Sequence, residues 1–210
     1  MRHLASKKVF SYWSDLRNQR KAPTRAEIEP GEIREYLGDT FILEVNKALR
    51  TISFRLAGTR LCNAYGKELK GLGFMNLWAE EDNLRVLRAI SRTYRDFKPA
   101  VISHRGKAAD GREVEFETLV LPLLPNHDGD IRLLGISTTK EMPLWLDSEP
   151  IVSNKVMSAY NISVGSLEDD SNATLVPFPG DFGISPSVIS ATTQGRQFGH
   201  LRVLDGGKTS

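Results

Sequence analysis

The chain has 210 residues, 40% hydrophobic and 26% charged, with a formal net charge of +2 and a single cysteine. That composition describes one ordinary globular domain with chain to spare; two full domains would be cramped. The lone Cys62 excludes an internal disulfide and any Cys-rich zinc or iron–sulfur centre. No run approaches the roughly 18 apolar residues of a membrane span, and the basic N-terminus lacks the apolar stretch of a signal peptide. A reducing cytoplasm is the expected setting.

Charge is unevenly distributed. Residues 1–25 carry a net +6, residues 141–210 a net −4, and the middle balances. A basic head such as Lys7, Lys8, Arg17 and Arg20 steers towards nucleic acid or an anionic membrane surface, although a solvated helix flank has the same composition. No basic stripe with interleaved aromatics follows it. Nucleic acid is therefore disfavoured, and membrane-surface contact is the weaker of the binding modes open to the chain.

In chain order, the spacing of Val9, Tyr12, Trp13 and Leu16 predicts an amphipathic helix over 9–20, stopped by Pro23. Pro30 starts a second helix over Gly31–Leu37, closed by Gly38. Residues 1–38 thus read as a helical flank. Thr40–Asn46 and Thr51–Ala57 read as a hairpin, and Thr59 is placed to cap a short helix Arg60–Tyr65 that Gly66 closes. Leu84, Leu87, Ile90 and Tyr94 recur at helical steps in a long helix from Glu80 to Phe97, ended by Pro99. Val101–Ala108, the Asp110-Gly111 turn and Arg112–Leu124 make a second hairpin. In the latter strand Glu113, Glu115 and Glu117 alternate with Val114, Phe116 and Thr118, which point inward. Ile131–Lys140 is a fifth strand. Its apolar residues, like Leu119–Leu124, occupy both faces, so the middle of the sheet is covered on both sides, by helices on one and by the N-terminal helix or a second subunit on the other. From 141 onward Ser, Thr, Asn, Gly and Pro dominate. Residues 147–195 read as disordered, with a docking strand near 197–204.

Two strands, a cluster of helices and three strands within residues 39–140 resemble the PAS order, an α+β fold with a five-stranded antiparallel sheet and helices across one face. Residue motifs agree with that resemblance. Trp13-x-x-Leu16-Arg17, Pro23-x-Arg25 and Ile28-x-Pro30 resemble the N-terminal signature of small stand-alone bacterial PAS proteins. So do Phe54-Arg55-Leu56-Ala57-Gly58-Thr59, Tyr65-Gly66-Lys67-Glu68-Leu69-x-Gly71, Trp78 and Leu121-Pro122-Leu123. The resemblance implies a regulatory module without catalysis, acting through a protein partner of a signalling pathway. It also implies a small molecule held between sheet and helices, or a homodimer.

The candidate ligand pocket is Phe54, Leu61, Tyr65, Trp78, Ile90, Tyr94 and His104, apolar with three polar tips; the same residues are also what a filled core would look like. Val9, Tyr12, Trp13 and Leu16 form the candidate dimer interface. Cys62 sits in Leu61-Cys62-Asn63-Ala64, which is not the flavin-adduct context of light-sensing PAS domains, and a core thiol is the plainer reading. Haem is disfavoured because the long helix has no histidine; His104 is on a strand. No cofactor is identified, and the four histidines share no metal-ligand spacing. Phosphate-loop, dinucleotide, hydrolase and zinc-protease motifs are all missing.

Overall fold

The computed structural model describes residues 1–126 and 129–163. Helix α1 (Leu4–Arg17) is followed by a 3₁₀ stretch over Pro30–Asp39 and the hairpin β1 (Thr40–Asn46) and β2 (Thr51–Ala57). Then come α2 (Thr59–Ala64), short 3₁₀ turns at Phe74–Leu77 and Glu80–Asp82, and α3 (Asn83–Asp96). Strands β3 (Ala100–Ala108), β4 (Glu113–Pro122), β5 (Ile131–Thr139) and β6 (Ile151–Asn161) complete the fold. The order across the sheet is β2-β1-β5-β4-β3-β6, and every pairing is antiparallel.

Strand alternation explains the two apolar faces. In β4, Phe116 and Val120 join the core under α2 and α3, while Leu119 and Leu121 join a second core under α1. In β5, Leu133 points to the first core, and Leu134 and Ile136 to the second. Gly135 lies under the Phe41 ring, where a Cβ would collide with it. The outer face expected to need a helix or a second subunit is covered by the chain's own α1: Val9 and Trp13 are fully buried there, and Trp13 Nε1 donates to the Pro122 carbonyl at 2.8 Å.

Several expectations are corrected. The sheet has six strands, not five: β6 lies within the stretch 147–195 read as disordered, and pairs along the whole of β3. Its apolar alternation is hidden because the register shifts twice against β3 and because Asn154 occupies a buried position. Residues 164–210, with the docking strand near 197–204, lie outside the described residues.

The first helix begins at Leu4 and ends at Arg17, with Asn18 at φ 51°. The helix expected over Gly31–Leu37 is the 3₁₀ stretch, non-helical at Ile33. Gly58, not Thr59, occupies the cap position of α2, and Thr59 is its first residue. The long helix is preceded by the Glu80–Asp82 turn and stops at Phe97, whose left-handed φ of 56° ends it before Pro99. Its buried side is Val86, Ala89, Ile90 and Thr93, so Leu84 is exposed and Leu87 and Tyr94 only half-buried. Glu117 does not face solvent. It is buried beneath the start of α1, where its carboxylate accepts the backbone N–H groups of Arg2 at 2.6 Å and His3 at 3.1 Å.

Candidate functional site

All seven residues expected around a pocket come together. Phe54, Leu61, Tyr65, Trp78, Ile90 and His104 are buried in the space between the sheet and α2–α3, and Tyr94 packs at its margin. The rings touch in succession. Phe54 meets Phe74 edge-on at 5.6 Å between centroids, Phe74 meets Trp78 at 5.5 Å, and Trp78 meets His104 at 4.8 Å. His104 then stacks on Phe116 at 5.2 Å.

A polar chain runs through the same space. Asn154 Nδ2 donates to the Leu77 carbonyl at 2.8 Å and to the Tyr65 hydroxyl at 2.9 Å. A carbonyl only accepts, so this contact orients the amide and turns Asn154 Oδ1 towards His104 Nδ1, 3.0 Å away. Oδ1 also only accepts, and Nδ1 must therefore carry the hydrogen. Burial holds the ring neutral, pushing its pKa from 6.5 down to about 3, against a smaller opposing effect of Asn154. Nε2 is then an acceptor for the Thr118 hydroxyl at 2.9 Å, and the Thr118 oxygen takes the Ser137 hydroxyl at 2.8 Å. The tautomer follows from the direction of the chain. Burial likewise pushes the Tyr65 phenol up, with Asn154 opposing.

Both ring nitrogens of His104 are thus engaged in hydrogen bonds. Among the described residues no group of three or more His, Cys, Asp or Glu is placed to hold a metal. The Cys62 thiol is pushed up, chiefly by burial and further by the neighbouring Glu68 carboxylate, which disfavours the thiolate. Arg60, its neighbour in sequence, pairs with Asp39 at 2.6 Å instead. Beside the polar chain, Trp78 Nε1 is buried without a hydrogen-bond partner, as is Ser6 Oγ elsewhere among the described residues.

Asn154 and Ser137 escaped the sequence reading. Asn154 lies in the stretch read as disordered, and only the β-branched and aromatic residues Ile151, Val152, Val156 and Tyr160 around it hinted at a strand.

The candidate interface residues are largely spent within the subunit. Val9 and Trp13 are buried, and Tyr12 and Leu16 are half-buried against the same outer core. Tyr12 accepts the Glu29 N–H through its hydroxyl at 2.7 Å, tying α1 to the chain before Pro30. The basic head is partly spent too. Arg20 holds Glu27 at 2.6 Å, and Arg17 lies over the Trp13 ring at 5.8 Å; Lys7 and Lys8 remain exposed.

A family model described as "PAS domain" matches residues 1–138. The chain belongs to the PAS domain family. Among solved structures, the PAS domain of a protein from Colwellia psychrerythraea is 16% identical, with 53% of this chain and 97% of that chain covered and a TM-score of 0.37. A sensory box histidine kinase/response regulator from Burkholderia thailandensis is 14% identical, with coverages of 53% and 84% and a TM-score of 0.36. A fungal LOV domain photoreceptor is 14% identical, with coverages of 49% and 74% and a TM-score of 0.38. No curated protein matches.

Membership makes this a signalling or sensory module in general terms. The PAS motif residues have structural work in this chain. A Cβ on Gly58 would collide with the carbonyl oxygens of Leu37 and Gly38. Gly66 and Gly71 sit at φ +60° and +82°, and Gly71 donates to the Phe54 carbonyl at 2.7 Å. Arg25 donates to the Ile28 carbonyl at 3.3 Å, Pro30 opens the 3₁₀ stretch, and Arg55 pairs with Glu44 across the hairpin at 4.0 Å.

Proposed function

We propose that this protein is a non-enzymatic, cytoplasmic PAS regulator of bacterial signalling that acts by contact with a protein partner, as a homodimer. The observation that carries this reading is the state of the PAS interior. The side chains that would line a ligand cavity are in ring contact with one another, and the polar tips of Tyr65 and His104 are bonded to Asn154 and Thr118. A ligand entering there must displace paired polar groups, which is costly in a low-dielectric core.

A second reading, small-ligand sensing, is favoured by one atom. The buried, unpartnered Trp78 Nε1 is a donor suited to an acceptor atom of a small molecule.

Native mass spectrometry with an absorption spectrum, on protein purified without denaturation, separates the two. The contact reading expects a dimer at twice the chain mass, with no adduct and no visible band. A stoichiometric added mass that disappears in Trp78→Phe would replace it with the sensing reading.

A further inference from the structure

Beside β6 the surface folds into a cleft of about 640 Å³, within the size range of small-molecule sites. It is separate from the PAS interior. Along β6 the side chains of Asn154 and Val156 turn into the core, while Ser153 and Lys155 are exposed on the opposite face. Antiparallel pairing sets Lys155 directly opposite Arg105 of β3, and Ser153 opposite Lys107. Lys107 and Lys155 are thus diagonal neighbours, with Cβ atoms roughly 7–8 Å apart, and all four of these residues line the cleft. The register shifts on each side of this segment, between Ser103 and His104 and between Lys107 and Ala108. Such bulges add twist, re-aim side chains and are enriched beside functional sites. Ala79 N donates to the Asn154 carbonyl at 3.0 Å, which puts residues 79–81 along the β6 edge away from β3, as the other wall of the cleft.

The charges of this segment are unbalanced. Arg105, Lys107 and Lys155 are adjacent on one face, and Arg105 stands directly opposite Lys155, a like-charge pairing that costs stability. The neighbouring acids do not relieve the lysines. Glu113 stands opposite Lys107 across β3 and β4, yet it pairs with Arg105 at 3.4 Å, and Glu115 pairs with Arg105 at 3.1 Å. Among the described residues Lys107 and Lys155 have no ion-pair or hydrogen-bond partner. We infer that this cleft binds a small oxyanion of the phosphate type, held by Lys107, Lys155 and the Ser153 hydroxyl. Donor type carries the choice. A guanidinium fork suits a planar carboxylate, and the fork of Arg105 is already taken by glutamates. Two ammonium groups are point charges whose donors rotate freely, and with a hydroxyl they approach from three separate positions, which suits the three oxygens of a phosphoryl group. Glu81 on the other wall disfavours a second anionic group, so the site takes a single phosphoryl rather than a polyanion. Because the lysines are exposed, binding is weak, in the millimolar range, and sensitive to salt.

Titration of the full chain with inorganic phosphate, followed by NMR of backbone amides and lysine side chains at constant ionic strength set with chloride, tests the site. A second arm uses glycerol phosphate, a simple monoester. The expected result is a saturable shift at Lys107, Ser153 and Lys155, and the arm that saturates at the lower concentration tells free ion from ester. Lys107→Gln and Lys155→Gln should each weaken binding several-fold, and the two combined should abolish saturation. Both substitutions thin out like charges, so denaturation midpoints should stay at or above the parent's, which separates lost binding from a lost fold. Shifts that never saturate, that chloride alone reproduces, or that persist in the double variant would overturn the inference. Saturation centred on Lys7 and Lys8 would overturn it too, by placing the anion on α1.

Discussion

His104 is a histidine kept neutral by its surroundings, and that has a measurable consequence. Its folded pKa, about 3, lies below the ordinary 6.5. Between those values the unfolded chain takes up a proton that the folded chain refuses. The contribution to stability is therefore complete above pH 6.5 and is lost as pH falls towards 3, by up to about 1.4 kcal/mol per pH unit. Carboxylates titrate in the same range, so the informative comparison is with His104→Gln, which cannot titrate. We expect denaturation midpoints followed from pH 6 to 4.5 to fall less steeply in His104→Gln than in the parent. Equal slopes would show that the folded protein accepts the imidazole proton. His104 was legible as a strand residue and a polar tip of the candidate pocket. Its tautomer was not, because that depends on Asn154, fifty positions away.

At the scale of elements, α1 teaches the most about reading amphipathic helices. The spacing of Val9, Tyr12, Trp13 and Leu16 announced an apolar stripe, but a stripe does not say which surface it meets. Here it meets the chain's own sheet, with Trp13 fully buried and hydrogen-bonded to Pro122. Trp13→Ala should consequently lower stability by about 3–5 kcal/mol, the usual cost of deleting a buried aromatic, in a chemical-denaturation experiment. A change in oligomeric state without such a loss would mean that Trp13 serves an interface between copies instead. α3 was displaced in a related way. Its apolar residues Leu84 and Leu87 suggested one face, yet the smaller Val86, Ala89 and Thr93 line the core. Close approach to the sheet favours small side chains, which a hydrophobicity pattern undervalues.

For the whole molecule, the consequential element is β6, beyond the end of the PAS match at residue 138. It closes the β3 edge, and its own outer edge is closed in turn. The Asn154 carbonyl takes the Ala79 N–H at 3.0 Å, and Asp82 Oδ2 takes the Val156 N–H at 2.7 Å. A chain ending after Lys140 would lose Asn154 and leave His104, Tyr65 and the Leu77 carbonyl without their partner in the core. We expect that truncation to lose the cooperative unfolding transition or to aggregate through the bared β3 edge. The point variant Asn154→Ala should stay folded at a cost of about 2–3 kcal/mol, the range for stranding buried polar groups. A truncated chain with the parent's midpoint would show that β6 is an accessory.

The sequence by itself determined the family, the positions of five strands and the convergence of Phe54, Tyr65, Trp78, Ile90 and His104 in one interior. These rest on local signals: alternation in strands, turn residues such as Asp110-Gly111, and the glycines that tight backbone contacts demand. Tertiary structure alone decided the rest. It placed α1 on the outer face, buried Glu117 under the start of that helix, and drew Asn154 into the core. Each of these depends on residues far apart in the chain satisfying one another's hydrogen bonds or apolar surface. A buried carboxylate or amide looks like solvent-facing chain until the distant group that pairs with it is in place.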